Sequence, residues 1–168
     1  MQSLDEQFLR QAIALARQGR EQGGDPFAAL LVIDGAVRQQ SWDRSVEMSD
    51  PTFHAELSVI SEYCRAQQQF ALEGATLYTS SEPCPMCAGA IHWAGISRVV
   101  FSVSQAMIQQ RSGGRPKMDC AAIINAGHRQ VEIVGPLLAE EGLAVFEGWP
   151  FTSRTARHAV RQRSAGQQ

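Results

Sequence analysis

The sequence predicts an α/β domain of three layers, a mixed five-stranded sheet between two layers of helices. Three observations carry that prediction. An apolar run, Phe27–Ile33, and a second strand, Ala36–Trp42, flank the turn dipeptide Asp34-Gly35, which makes an antiparallel hairpin. Strand and helix patterns then alternate, so parallel neighbours joined by crossovers follow the hairpin. The 168 residues fit one domain, since a single core grows to roughly 100–200 residues before a chain divides.

The elements follow in order. Ser3-Leu4-Asp5-Glu6 is a capping box that opens a helix. Leu4, Phe8, Leu9, Ala12, Ile13 and Ala16 recur at three and four and give it a buried face, and Gly19 to Gly24 ends it. After the hairpin, Asp50-Pro51 reads as a cap with proline in the first turn, and a helix follows from about Phe53 to Gln68. Ala75–Ser80 is the third strand. Pro83–Cys87 opens a helix that Gly95 closes, and Arg98–Val103 is the fourth strand. Ser112–Pro116 reads as a loop, Asp119–Ala126 as a helix, Gln130–Val134 as the fifth strand and Pro136–Phe146 as the last helix.

Composition narrows the class. Apolar residues at 44% and charged residues at 19% exclude disorder for most of the chain. Fifteen basic and 17 acidic residues give a net charge of −2, and Lys117 is the only lysine, so a basic patch would have to be arginine. Thr152–Gln168 holds Arg154, Arg157, Arg161 and Arg163 and no acid; setting those four charges aside leaves −6 on residues 1–151. The chain therefore reads as a domain over 1–151 and an arginine-rich C-terminal tail over 152–168. The tail is expected to be a solvated terminus rather than a clamp for a phosphate backbone. No apolar run reaches the ~18–20 residues that span a bilayer. Met1–Glu6 shows no export signal, so the expected location is cytoplasmic. There Cys64, Cys84, Cys87 and Cys120 read as thiols or metal ligands, not disulfides.

The chemistry concentrates in His54-Ala55-Glu56 and Pro83-Cys84-Pro85-Met86-Cys87. One imidazole and two thiolates fill three corners of a tetrahedral zinc site and leave the fourth for water. Cys84 and Cys87 stand three apart at a helix start, so their sulfurs face one way, and the helix N-terminus favours thiolate. Glu56 is not needed as a ligand and is placed to move a proton from the water. A Cys-x-x-Cys that opens a helix also suits a thiol-redox site. A structural zinc site wants a fourth protein ligand. Among the spare residues, Cys64 and Cys120 read as core thiols, and His92 and His128 as surface or packing histidines.

His-x-Glu followed by Pro-Cys-x-x-Cys is the signature of zinc deaminases that act on bases. Asp50–Glu56 resembles the first half of the site in guanine deaminases and tRNA adenosine deaminases, and Leu77–Trp93 resembles the second half. Pro26-Phe27 is typical as well. From Leu4 to Phe151 the chain resembles the cytidine/guanine deaminase superfamily. That resemblance implies a cytidine-deaminase-like fold with one zinc per chain on His54, Cys84 and Cys87. It implies Glu56 as the catalytic proton carrier, loss of ammonia from a heteroaromatic ring by hydrolysis, and a homodimer. It also implies base contacts from the Ala55 N–H and the carbonyl near Ser81. Trp93 reads as a stacking wall or as packing on the sheet. Phe27 reads as pocket or core, Asp119 as a proton relay or a helix cap, and Glu147–Phe151 as a cover for the pocket or the end of the core.

For the substrate, guanine or a related aminopurine, pterin or triazine leads. tRNA adenosine is the alternative, and a non-catalytic zinc or thiol-redox module is the alternative of another class. Phe53 stands where the tRNA enzymes have alanine and should shrink the pocket. Ile91-His92-Trp93 resembles the guanine side, and the charge of −6 repels a polyanion. The expected partners are thus a small molecule and water, not nucleic acid or membrane. Asp43-Arg44 departs from the Asn-Arg pair of the resembled enzymes. A carboxylate only accepts hydrogen bonds, so Asp43 would repel a ring oxygen and favour a ring rich in N–H, unless it pairs with Arg44 or another arginine. Deleting Ser153–Gln168 is expected to leave deamination of small substrates largely intact.

Overall fold

The computed structural model describes residues 3–114 and 118–166. The elements run α1 (Leu4–Glu21), β1 (Asp25–Ile33), β2 (Ala36–Asp43), α2 (Ser45–Met48), α3 (Ala55–Gln67), β3 (Thr76–Ser81), α4 (Pro85–Ala94), β4 (Arg98–Val103), α5 (Gln105–Ser112), α6 (Cys120–Ile124), β5 (Glu132–Val134), α7 (Ala139–Ala144) and α8 (Arg154–Ala165). The sheet order is β2-β1-β3-β4-β5. β1 pairs antiparallel with β2 and β3, while β3–β4 and β4–β5 are parallel. The mixed five-stranded sheet is the one expected from the hairpin and the crossovers.

Strand periodicity makes the three layers, because successive side chains point to opposite faces. Ala29, Leu31, Leu77 and Val99 pack into one core with Ala55, Val59, Ala88, Ile91 and Ile124 of α3, α4 and α6. Ala28, Leu30, Tyr78 and Val100 pack into the other with Leu9, Ala12, Ile13 and Ala16 of α1 and with Val145 and Phe146. The Ser3–Glu6 capping box forms in both directions.

Several boundaries differ, each for a local reason. Asp50-Pro51 does not open a helix. The Asp50 carboxylate accepts the Thr52 N–H at 2.8 Å and its hydroxyl at 2.6 Å, a turn that competes with helix, and α3 begins only after His54. The helix expected over Pro136–Phe146 is α7 and starts at Ala139, since Leu138 sits in the left-handed region, and α8 follows it. Ser112 ends α5 rather than starting a loop; of the expected Ser112–Pro116 loop, residues 115–116 lie outside the described residues. The tail is not frayed: Ser153 caps α8, its hydroxyl accepting the Ala156 N–H at 3.2 Å. Trp149 and Phe151 finish the second core, with Phe151 stacked on Phe146 at 5.8 Å.

Gly19 lets α1 lie against the edge strand: a Cβ there would meet Trp42 Cγ at 2.5 Å and Cβ at 2.7 Å. Those atoms are close to the backbone and cannot swing away. Gly19→Ala should therefore destabilise by about 1–3 kcal/mol despite its better helix propensity, read as a lower urea midpoint. An unchanged midpoint would show that Trp42 repacks freely.

The sheet directions gather the functional residues. β1 begins where β2, β3 and β4 end, as the pairing Asp25↔Asp43 and the parallel register Ser81↔Val103 show. α3 and α4 also start at this edge, the crevice side of an α/β sheet where ligands bind.

Candidate active site

His54 is the N-cap of α3 and Cys84 the N-cap of α4, with Pro85 at the first helical position. Cys87 lies one turn further on and is fully buried. His54 Nδ1 stands 3.5 Å from Cys84 Sγ and 3.7 Å from Cys87 Sγ, and the three donor atoms lie within 4.8 Å of one another. Zinc bonds nitrogen at about 2.0 Å and sulfur at about 2.3 Å, so tetrahedral corners lie about 3.5 Å apart from N to S and about 3.8 Å from S to S. The trio fits that ion and leaves a corner open. The Cys84 thiol is pushed down to about 3, first by the hydrogen bond from Cys87 and then by His54. Cys87 is pushed up by the same bond and by burial. A thiolate at a helix start is the donor a zinc ion takes.

Glu56 is 4% exposed and stands against the trio, Oε2 lying 3.5 Å from Cys87 Sγ. Burial, and then the charge on Cys84, raise its carboxyl above the ordinary range. Thr79 was not singled out in the sequence, yet its hydroxyl lies 3.2 Å from Glu56 Oε1 and 3.0 Å from the Ser81 carbonyl. It shares the core-facing side of β3 with Leu77, where a polar residue is itself a signal.

One cavity of about 700 Å³, its open mouth included, brings together Phe27, Asp43, His54, Glu56, Ser81 and Cys84. Ala55 is buried beside them at the first position of α3. The structure does not bring Trp93, Asp119 or Phe53 to the lining among the described residues. Trp93 is 78% exposed because α4 buries Cys87, Ala88, Ile91 and Ala94, and position 93 falls on the opposite face. Asp119 caps α6, accepting the Ala121 N–H at 2.9 Å. Phe53 instead lies under the Arg44 guanidinium at 5.0 Å, so it does not narrow the cavity.

Other parts of the lining had no signal. Gln105, Ile108, Gln109 and Ser112 come from α5, and Arg154 comes from α8. Glu82 also lines it, its carboxylate accepting the Gln105 N–H at 2.9 Å. Arg154 enters between two nearly buried acids. Its Nη2 donates to Asp43 Oδ2 at 2.6 Å, and its Nε lies 2.7 Å from Asp25 Oδ2. Arg157 pairs with Asp25 as well.

Residues 2–103 match the model of the cytidine and deoxycytidylate deaminase zinc-binding region. The chain belongs to that family. This deaminase is 34% identical to a probable cytosine deaminase of Schizosaccharomyces pombe over 147 residues, 84% of this chain and 90% of the relative. It is 42% identical to a guanine deaminase of Bacillus subtilis over 98 residues, 58% of this chain and 63% of the relative. A solved structure from studies of A-to-I editing by tRNA:A34 deaminases superposes with a TM-score of 0.70 at 32% identity, covering 83% of this chain and 99% of that one. The deaminase thus has a zinc-binding domain and the hydrolytic chemistry of its family, on a cytidine-deaminase-like fold. No helix among the described residues is long and apolar enough to cross a membrane.

The tail expectation reverses. Asp25 and Asp43 are 4% and 1% exposed, and α8 supplies their counter-charges. Removing one side of a buried pair strands the other, at about 3–5 kcal/mol. A protein lacking residues 153–168 should melt well below the full chain in differential scanning calorimetry. Equal melting temperatures would mean the two acids find other partners.

Proposed function

We propose that this deaminase removes an amino group from a small free heteroaromatic base, guanine or a related amino-ring, and that His54, Cys84 and Cys87 hold its zinc. The observation that carries the reading is Glu56, buried in the cavity wall against a trio whose spacing fits one zinc with an open corner. Zinc on the trio supplies a water activated near neutral pH. Glu56 takes a proton from that water and delivers it to a ring nitrogen, which makes the amino-bearing carbon electrophilic. The hydroxide left behind bonds to that carbon, Glu56 takes the proton of the new hydroxyl and passes it to the amine, and the C–N bond breaks to release ammonia as the ring carbonyl forms. The Thr79 hydroxyl holds the carboxylate in place, and Phe27 gives the ring an apolar wall.

The small-base reading draws on charge. Two of the four tail arginines, Arg154 and Arg157, are engaged by Asp25 and Asp43, which leaves Arg161 and Arg163 to grip a phosphate backbone. Ammonia release by zinc-loaded protein from guanine, guanosine, cytosine, cytidine, adenine, aminotriazines, aminopterins and tRNA tests the reading. Release from at least one free base supports it; release from tRNA alone, with salt-sensitive binding, supports the tRNA reading favoured by the 32% identity to the tRNA:A34 deaminase structure. A homodimer at work in the cytoplasm belongs to the same proposal. The exposed Trp93 on α4 is apolar surface that a second copy would cover, and sedimentation of the full chain checks it.

A further inference from the structure

We infer that Arg154 of the C-terminal helix, not Asp43, reads the substrate edge at this wall, and that it selects rings presenting an oxygen acceptor there. The inference rests on the small-base reading. It begins with the acceptor sites of Asp43. Oδ1 takes the Ser45 N–H at 3.0 Å and the Ser45 hydroxyl at 2.6 Å, and Oδ2 takes Arg154 at 2.6 Å. The carboxylate lines the cavity with both sites of Oδ1 and one of Oδ2 taken, three of about four. An N–H on the ring could reach only the remaining Oδ2 site, beside the charge-assisted bond from Arg154 and 4.0 Å from His54 Nε2.

Arg154 has capacity left. Nη2 and Nε face Asp43 and Asp25, while Nη1 makes no hydrogen bond among the described residues. The guanidinium lies 5.8 Å over the Phe27 ring, and both residues line the cavity. The Asp43 hydrogen bond holds the fork at the wall and the Asp25 ion pair adds charge without hydrogen-bond geometry, so a donor is presented there. A guanidinium only donates. The arginine therefore inverts the preference that Asp43 alone would set: a ring oxygen is welcomed and an amino group faces an unmatched donor. The helix that carries it has no buried residue. What fastens it is Arg154, Arg157 and the Ser49–His158 contact at 2.8 Å.

Binding separates this from catalysis. Zinc-loaded Glu56→Gln protein, alone and combined with Arg154→Met or Arg154→Lys, is titrated calorimetrically with two pairs of rings. Guanine is compared with 2,6-diaminopurine, and cytosine with 2,4-diaminopyrimidine; in each pair an oxygen acceptor becomes an amino donor. With Arg154 present, the oxo member of at least one pair should bind about tenfold tighter or more. Arg154→Met should bring that ratio to near unity. If it does not fold, Arg154→Lys carries the test, since it keeps the charge beside Asp25 and Asp43 but loses the planar fork, and the ratio should fall. Zinc content is measured throughout, because Asp43 Oδ2 lies 4.0 Å from His54 Nε2. Rings that bind with a ratio indifferent to residue 154 would overturn the inference alone. If no ring binds, the small-base reading falls with it.

Discussion

Glu56→Gln is expected to keep fold, metal and ring binding while turnover drops about 10²–10⁴-fold, the usual contribution of a positioned acid–base group. The substitution preserves shape and the contact with the Thr79 hydroxyl. It removes the only property the reaction needs from this residue, the ability to accept a proton and give it back. Stability should not fall. The carboxyl is buried, which opposes its charge, and the isosteric amide keeps its volume and its contact with the Thr79 hydroxyl. The melting temperature should hold or rise, zinc should stay near one per chain, and kcat should carry the loss rather than KM. Near-normal kcat in zinc-loaded Glu56→Gln protein would take the proton transfer away from this residue.

The parts of this molecule legible in its sequence are those whose signal is local. The hairpin shows itself through Asp34-Gly35 between two runs, and α4 through Pro85 after the Cys84 cap. The metal trio is legible because two helix starts each carry their own motif. α5 and α8 were missed for a common reason: neither buries a residue, so neither carries an apolar stripe. The hold of α8 is a charge contact across 111 residues, from Arg154 to Asp43, and no periodicity reports that. The departure at Asp43-Arg44 was visible, but not which arginine would answer it. Arg44 is engaged elsewhere, 3.6 Å from Glu62 and over the rings of Trp42 and Phe53. Trp93 has the motif position of a pocket residue but not the helical phase of this lining. Its place opposite Cys87, Ala88, Ile91 and Ala94 follows from counting 3.6 residues per turn.

Cys84→Ala is expected to lose the metal and all turnover, and to uncouple folding from zinc. Two donors remain, His54 and Cys87, on separate helices, and two are too few for a site whose family geometry uses three protein ligands and a water. An ion held by the trio would tie the start of α3 to the start of α4, and by mass action it would stabilise the pair. An excess of about a thousandfold over the dissociation constant is worth roughly 4 kcal/mol. A strong chelator should therefore lower the melting temperature of the wild-type protein clearly, and added zinc should restore it. Cys84→Ala should start from the lower value and respond to neither. The comparison distinguishes a lost ligand from a lost helix cap. Cys84 makes no side-chain cap bond at α4, so a change at the cap alone would cost little and leave the response to chelator intact. If Cys84→Ala keeps one zinc per chain and its full response to chelator, the trio is not the metal site.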